Sequence, residues 1–217
     1  MSDHMLANGK KLADLWYGNR KKYRANAYQE ISNNKDRKDR YDDLERLKRT
    51  LGNHPDLNVD DKGSENHAKR YFFNHERNFD SGYAPWTNQA HHLLPQEFWN
   101  GLTSAQMDLL KQIEYSINNG LNIIYLPAGF KAHLIHELPI HRGAHDKYSD
   151  EVITDATSVS NKLKKAEKDG GFCEKTNPPK AILERLQELQ DKYWNILATT
   201  KIKKVTDLFK GSKVFSK

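Results

Sequence analysis

Apolar side chains recur at three- and four-residue steps in several stretches of the chain, as they do along one face of an α-helix. Tyr41, Leu44, Leu47 and Leu51 show this spacing clearly. The pattern predicts helices at residues 10–31, 36–51, 104–118 and 141–166, and a last long helix that begins after Asn177 and Pro178. Most of the chain is therefore expected to be helical.

Two short runs have a different pattern. Residues 87–94 lie between Pro85 and Pro95, and residues 121–126 are apolar, rich in β-branched side chains and followed by Pro127. Both runs are typical of extended strands. The predicted fold class is therefore α+β and mainly helical, with one small two-stranded element in the middle of the chain.

Local signals mark where elements begin and end. Thr103, followed three residues later by Gln106, forms a capping box that opens the helix at 104–118. Asn119 and Gly120 are expected to end it in a left-handed turn. Residues 53–66 are polar and read as a loop. We therefore expect a basic helical extension at 1–66, a core at 67–169, and a C-terminal helix with a basic tail at 170–217.

Charge is unevenly distributed over the 217 residues, whose formal net charge is +6. Residues 10–49 contain 13 Lys and Arg against 7 Asp and Glu, and residues 199–217 contain 6 Lys against 1 Asp. Aromatic residues are interleaved with the first basic run, as on a surface that tracks phosphates. A solvated helix face and a basic tail would give the same composition. Both interpretations remain open from charge alone.

Several classes of protein are excluded by the sequence. No stretch approaches the roughly 20 apolar residues of a membrane-spanning helix. The N-terminus lacks an apolar run before a small-residue cleavage site, so we expect no secretory signal of its own. The single cysteine, Cys173, excludes an internal disulfide and a Cys-rich zinc finger. With ten histidines, any metal site is expected to use imidazole and carboxylate ligands.

The histidines that suggest chemistry lie at the ends of predicted elements. His91 and His92 end the first strand, where adjacent side chains point to opposite faces. His141 and His145 are four residues apart, so on a helix they would share one face and could hold a single ion. Three imidazoles favour Zn, Ni or Co over Mg. His133 and His136, between the second strand and this helix, are expected to be solvated loop residues.

Such a set of side chains suits phosphodiester cleavage. Deprotonating a water molecule at neutral pH requires a base whose pKa lies near 7, and histidine supplies one. The transition state and the departing 3′ oxygen require positive charge, which a bound metal ion supplies. Three histidines as ligands, one as the base, and an asparagine to orient the base would make a one-metal nuclease.

The motifs resemble those of a known family. Ala90-His91-His92 precedes Leu94-Pro95, Asn122 leads into the second strand, and His141-x-Gly-x-His145 follows. Together they resemble the Ala-His-His (AHH) branch of the HNH/endonuclease VII superfamily, in the nuclease domains of bacterial toxins, over roughly residues 84–165. The resemblance implies a ββα-metal core of two strands and a ligand-bearing helix, embedded in flanking helices. It also implies that His91, His141 and His145 bind the metal and that His92 is the general base. Asn122 would be the central asparagine, with Asn119 as the alternative.

The function implied by this resemblance is metal-dependent, weakly specific hydrolysis of DNA. One divalent ion is expected, Mg²⁺ or Zn²⁺, with Mn²⁺ or Ni²⁺ also considered, and Arg142 and Lys147 would contact the DNA backbone. An antibacterial toxin is expected, delivered by a dedicated secretion system into the target-cell cytoplasm and neutralised by an immunity protein, with no membrane partner. The alternatives are an RNase, a phage or mobile-element endonuclease, or a non-catalytic nucleic-acid-binding metal module.

Overall fold

The structure is a computed structural model that describes residues 23–57, 62–75, 78–81, 85–175 and 177–211. Helices dominate it, and the described residues contain one sheet of two antiparallel strands. The prediction of a mainly helical α+β fold is confirmed. None of the described helices has both the length and the apolar composition that crossing a membrane requires.

The elements follow one another along the chain, with short 3₁₀ turns at Gly120–Asn122 and Val205–Asp207. Their order is α1 (Tyr23–Asn33), α2 (Lys35–Asp39), α3 (Leu44–Asn53), α4 (Glu65–Lys69), α5 (Asn78–Ser81), β1 (Asn88–His92), α6 (Gln96–Asn100), α7 (Ser104–Gln112), β2 (Ile123–Pro127), α8 (Phe130–His136), α9 (Asp146–Asp155), α10 (Thr157–Lys168) and α11 (Pro179–Thr199). The part of the predicted 10–31 helix that precedes residue 23 lies outside the described residues.

The two predicted strands pair with each other at the centre of the molecule. Asn88 lies opposite Pro127 and His92 lies opposite Ile123. All five residues of β2 are buried, as expected for a run of β-branched and apolar side chains. In β1, His91 is buried and His92 is half-buried, so the two rings leave the strand on opposite faces.

The single helix predicted at 36–51 is two helices, α2 and α3. Asn34 caps α2 by accepting a hydrogen bond from the backbone N–H of Arg37 at 3.1 Å, and Asp43 caps α3 by accepting one from Arg46 at 2.9 Å. Between them, the Tyr41 hydroxyl lies 3.1 Å from both the backbone N and the backbone O of Tyr125 in β2. These caps and long-range hydrogen bonds stabilise the break, although the apolar spacing continues across it.

The helix that opens with the predicted capping box ends earlier than expected. Thr103 and Gln106 form the box, which confirms the start of α7. The helix ends at Gln112, and Glu114 adopts the left-handed conformation at φ 56°. Gly120 has another role, because a Cβ atom there would overlap the backbone carbonyl of Asn26 in α1. The glycine allows the close approach of two backbones and does not end the helix.

The helix predicted at 141–166 was wrong in its first turn and in its continuity. Residues 141–145 form a loop in which Gly143 has a φ of 81°, and α9 begins only at Asp146. Ala156 then separates α9 from α10. His141 and His145 therefore do not share a helical face, and the reason given for bringing them together from sequence does not hold.

A buried hydrogen-bond cluster ties the N-terminal helices to the rest of the chain. Arg40, which follows α2, donates from Nε to the carbonyl of Ala198 at 2.6 Å and from Nη2 to the carbonyl of Glu137 at 3.1 Å. These carbonyls lie at the C-terminal ends of α11 and α8, where helix carbonyls lack partners within the helix. Side chains of α1 and α11 also share one hydrophobic core. The predicted boundaries at 66/67 and 169/170 stay a prediction.

Candidate active site

Three histidine rings meet beside strand β1. The ring centroids of His91 and His141 are 4.5 Å apart, and those of His91 and His145 are 5.0 Å apart. The Nε2 atoms of His141 and His145 lie 3.1 Å from each other. One ring nitrogen of each residue lies within 4.8 Å of the other two, which is a spacing that one metal ion can bridge. The structure therefore brings together the three residues predicted as ligands.

The 141–145 loop reaches His91 because backbone hydrogen bonds attach it at both ends. The N–H of His141 donates to the carbonyl of Pro127 at the end of β2, at 2.9 Å. At the other end, the His145 carbonyl accepts from the N–H of Tyr148 at 2.9 Å, in the first turn of α9. The Tyr148 hydroxyl donates to the carbonyl of Leu93, just beyond β1, at 2.8 Å. The sheet and α9 together position the loop.

Two of the three rings, those of His91 and His141, are in surroundings that favour their neutral form. Burial, and then the neighbouring His141 and His145, lowers the pKa of His91 well below its ordinary value. Burial, followed by the charge of His145, lowers the pKa of His141 to about 4. A neutral imidazole is the form that binds a metal ion, so these shifts keep the rings of His91 and His141 in their ligating state at neutral pH.

Hydrogen bonding also fits a metal centre. The Nε2 atom of His91 is buried and has no hydrogen-bond partner within the described part of the chain. The Nδ1 atom of His141 lies 2.9 Å from Oε1 of Gln89 in β1, and an amide oxygen can only accept. This assigns the proton to Nδ1 and leaves the Nε2 lone pair facing His145. Sequence reasoning missed Gln89, whose only signal was its place two residues before His91 on the same strand face.

His92 lies on the other face of β1 in a polar and aromatic environment. Its Nε2 atom is 3.0 Å from Oδ1 of Asn118, and its ring stacks with Tyr23 of α1 at a centroid distance of 5.8 Å. Burial lowers the pKa of His92, and the hydrogen bond to Asn118 and the charge of Glu97 partly offset this effect. Because the Oδ1 atom of Asn118 accepts a hydrogen bond from Nε2–H, Nδ1 is the basic nitrogen of the ring.

The structure places Asn118 at the His92 ring, whereas the sequence suggested Asn122 or Asn119. Asn122 is fully buried, accepts from the backbone N–H of Leu94 and donates to the carbonyl of Ile117, both at 2.8 Å. Asn119 caps the 3₁₀ turn by accepting from the N–H of Asn122. Asn122 thus joins the chain after β1 to the chain before β2. Its assignment as the catalytic asparagine stays a prediction.

The two predicted nucleic-acid contacts lie on the exposed rim of the site. Arg142 is exposed within the loop between His141 and Gly143. Lys147 is exposed in the first turn of α9 and forms an ion pair with Asp150 at 3.8 Å. Both positions are compatible with phosphate contacts, and their role stays a prediction.

His136 differs from its expected place. Both His133 and His136 belong to α8, and His136 is fully buried among aromatic side chains, with its ring centroid 4.1 Å from that of Trp86. The expectation of two solvated loop residues is therefore wrong. His133 is partly buried, and its Nδ1 lies 2.6 Å from the carbonyl of Leu138.

Comparison with known proteins identifies the family. A family model described as a nuclease family of the HNH/ENDO VII superfamily with conserved AHH matches residues 74–193, more than half of the chain. The matched segment contains the histidine cluster, His92 and Asn118. No curated protein and no solved structure gives a significant match. The chain therefore belongs to the AHH nuclease family of the HNH/ENDO VII superfamily.

Proposed function

We propose that this protein is a metal-dependent endonuclease that hydrolyses phosphodiester bonds of DNA with little sequence specificity. The observation that carries the proposal is that ring nitrogens of His91, His141 and His145 lie close enough together to bind one metal ion. A fourth histidine, His92, follows His91 on β1 and is hydrogen-bonded to Asn118. Three protein ligands leave coordination positions for substrate, as in catalytic metal sites.

In this mechanism His91, His141 and His145 would hold one divalent ion. When bound, such an ion supplies positive charge to the transition state and to the departing 3′ oxygen. His92 takes the proton from the attacking water through Nδ1, and Asn118 fixes the ring by accepting from Nε2. Gln89 holds the tautomer of His141 in the same way.

The three imidazole ligands affect which divalent ions would bind most tightly. Neutral imidazoles bind Zn²⁺ or Ni²⁺ more tightly than Mg²⁺, which prefers oxygen ligands. Catalysis and affinity can favour different ions, so we keep Mg²⁺ and Zn²⁺ as the principal candidates and Mn²⁺ and Ni²⁺ as further ones. Each ion is tested separately.

For the biological role, we propose an antibacterial toxin that a dedicated secretion system delivers into the cytoplasm of a target cell and that a cognate immunity protein neutralises in the producer. The support for this role is the resemblance of the Ala90-His91-His92 motif to toxin nuclease domains. Co-expression with a neighbouring gene product that relieves growth arrest is the corresponding test.

The direct test of the nuclease is plasmid nicking by chelator-stripped protein to which Mg²⁺, Mn²⁺, Zn²⁺ or Ni²⁺ is added. We expect wild-type protein to nick DNA with at least one ion. His92→Ala should abolish nicking while isothermal titration shows nearly unchanged metal affinity. His141→Ala should lower both, and His54→Ala, at the end of α3, is the matched control.

Other outcomes of this test identify the alternatives. Cleavage of tRNA without cleavage of DNA would indicate an RNase, and cleavage confined to one sequence would indicate a mobile-element or phage endonuclease. A protein that binds metal, unfolds on chelation and cleaves nothing would be a non-catalytic metal module. Nicking that survives in His92→Ala would refute the assignment of the base.

A further inference from the structure

An exposed aromatic side chain lies at the start of α8, shortly after the end of β2. Phe130, the first residue of α8, is 51% exposed, more than any other large apolar side chain among the described residues. The Nζ atom of Lys203 lies 4.1 Å from the centroid of its ring. This distance is that of a cation–π contact, which holds the lysine against the ring. Much of the phenylalanine remains in water.

Backbone hydrogen bonds place this pair next to the cluster. The N–H of Ile140 donates to the carbonyl of Lys203 at 2.7 Å, and the N–H of Val205 donates to the carbonyl of Ile140 at 3.1 Å. The next residue, His141, is one of the proposed ligands. From the spacing of paired strands and of consecutive Cα atoms, the backbones of Lys203 and His141 lie within roughly 10 Å of each other.

Four nearby cations form no salt bridge within the described residues, although Lys204 lies close enough to the Asp207 carboxylate to lower its pKa. Lys131, Arg142, Lys203 and Lys204 are all exposed. The salt bridges within the described residues involve other lysines and arginines, such as the pair of Lys147 with Asp150. Cations that form no salt bridge are available for phosphates. Lys203, over the ring of Phe130, and Lys131, the next residue in the chain, therefore bring positive charge to the exposed ring.

We propose that Phe130 is a stacking platform for an unpaired nucleobase, and that Lys131, Arg142, Lys203 and Lys204 hold the phosphates beside it. The proposal rests on the proposed nuclease function and narrows its substrate to single-stranded or locally unpaired nucleic acid. Every base has a π-face, so stacking requires no particular sequence. In a duplex both faces of a base are covered by neighbouring base pairs, so intact duplex cannot use the platform.

The test is fluorescence anisotropy with labelled oligo(dT), oligo(U) and a blunt duplex of equal length, in EDTA so that no cleavage occurs. Phe130→Ala should weaken binding of both single strands by about 5- to 150-fold, the range of one lost base stack, and change duplex binding by less than about twofold. Phe130→Trp should retain single-strand affinity. Leu183→Ala removes another exposed apolar side chain, on α11, and should change nothing.

Each outcome decides the proposal. Unchanged single-strand binding in Phe130→Ala overturns it and leaves the ring as a surface for a different class of partner. An equal loss for single strands and duplex overturns it as well, because stacking would then not be the cause. Because binding is measured without metal and without cleavage, a failure of plasmid nicking would refute the proposed nuclease function without affecting a positive stacking result. Equal cleavage of single-stranded and duplex nucleic acid would refute only the stacking platform.

Discussion

Replacing His136 tests how a buried and unpaired imidazole affects stability. The residue is fully buried in α8, and neither ring nitrogen has a hydrogen-bond partner within the described part of the chain. Trp86, Tyr41 and Phe79 surround the ring. Burial, followed by the charges of Arg46 and Arg40, lowers the pKa of His136 well below its ordinary value. The ring therefore stays neutral in the folded protein.

The magnitude follows from linkage. The unfolded chain binds a proton at this histidine below about pH 6.5, whereas the folded chain does not, so stability falls as the pH decreases below that value. For one such group the free energy of unfolding decreases by about 1.4 kcal/mol between pH 7.5 and pH 5.5. His136→Phe removes this contribution. Because His91 and His141 titrate in both proteins, their effects cancel in the difference.

The assay is urea unfolding of wild type and His136→Phe at both pH values, in EDTA, followed by tryptophan fluorescence. We expect the stability of the variant relative to wild type to increase by about 1.4 kcal/mol on going from pH 7.5 to pH 5.5. His136→Leu should show the same increase from a different starting value, because packing defects do not depend on pH. If the difference in free energy of unfolding between variant and wild type is the same at both pH values for both variants, the conclusion that His136 is buried in its neutral form is refuted.

Four further predictions concern two asparagines, a glycine and a glutamine. Asn118→Leu should slow nicking at little cost in melting temperature, and Asn118→Asp, which keeps an acceptor, should restore part of the rate. Asn122→Ala should lower the free energy of unfolding in urea by about 2–4 kcal/mol, because two buried backbone groups lose their partners. Gly120→Ala should lower it by about 1–3 kcal/mol through overlap with Asn26. Gln89→Leu should weaken metal binding by about 10- to 100-fold in isothermal titration.

Specific results would contradict each of these. Unchanged nicking in Asn118→Leu would show that the ring of His92 needs no acceptor. A free energy of unfolding in urea that is unchanged in Asn122→Ala or Gly120→Ala would mean that the chain relaxes around the substitution. Equal metal affinity in Gln89→Leu and wild type would show that the hydrogen bond from His141 to Gln89 does not contribute to metal binding.

The parts of the fold that the sequence predicted correctly are those with local causes. Pro85 and Pro95 mark the first strand, β-branched and apolar residues mark the second, and the box of Thr103 and Gln106 marks the start of α7. The histidines of the candidate site could be identified for a similar reason, because the order of the motifs along the chain does not depend on the conformation of the loops between them. The sequence predicted that His91, His141 and His145 lie together, which the structure shows, but it placed His141 and His145 on a helix and they lie in a loop.

The remaining features depend on contacts between distant parts of the chain. A spacing of four residues brings His141 and His145 together in a turn at Gly143 as well as on a helix, so the spacing cannot distinguish the two. Asn118 reaches His92 from 26 residues away. His136 has no sequence neighbour that reveals its burial, because the aromatic side chains around it come from several other elements.

The guanidinium of Arg40 has a consequence for how the molecule opens. It bonds to carbonyls near residues 137 and 198, so three stretches of chain that are remote in sequence meet at a single side chain. If any one of these stretches moves away, the guanidinium or a carbonyl loses its hydrogen-bond partner. The three stretches are therefore expected to unfold together as one cooperative unit. Amide exchange in α2, α8 and the last turn of α11 should then share one opening free energy.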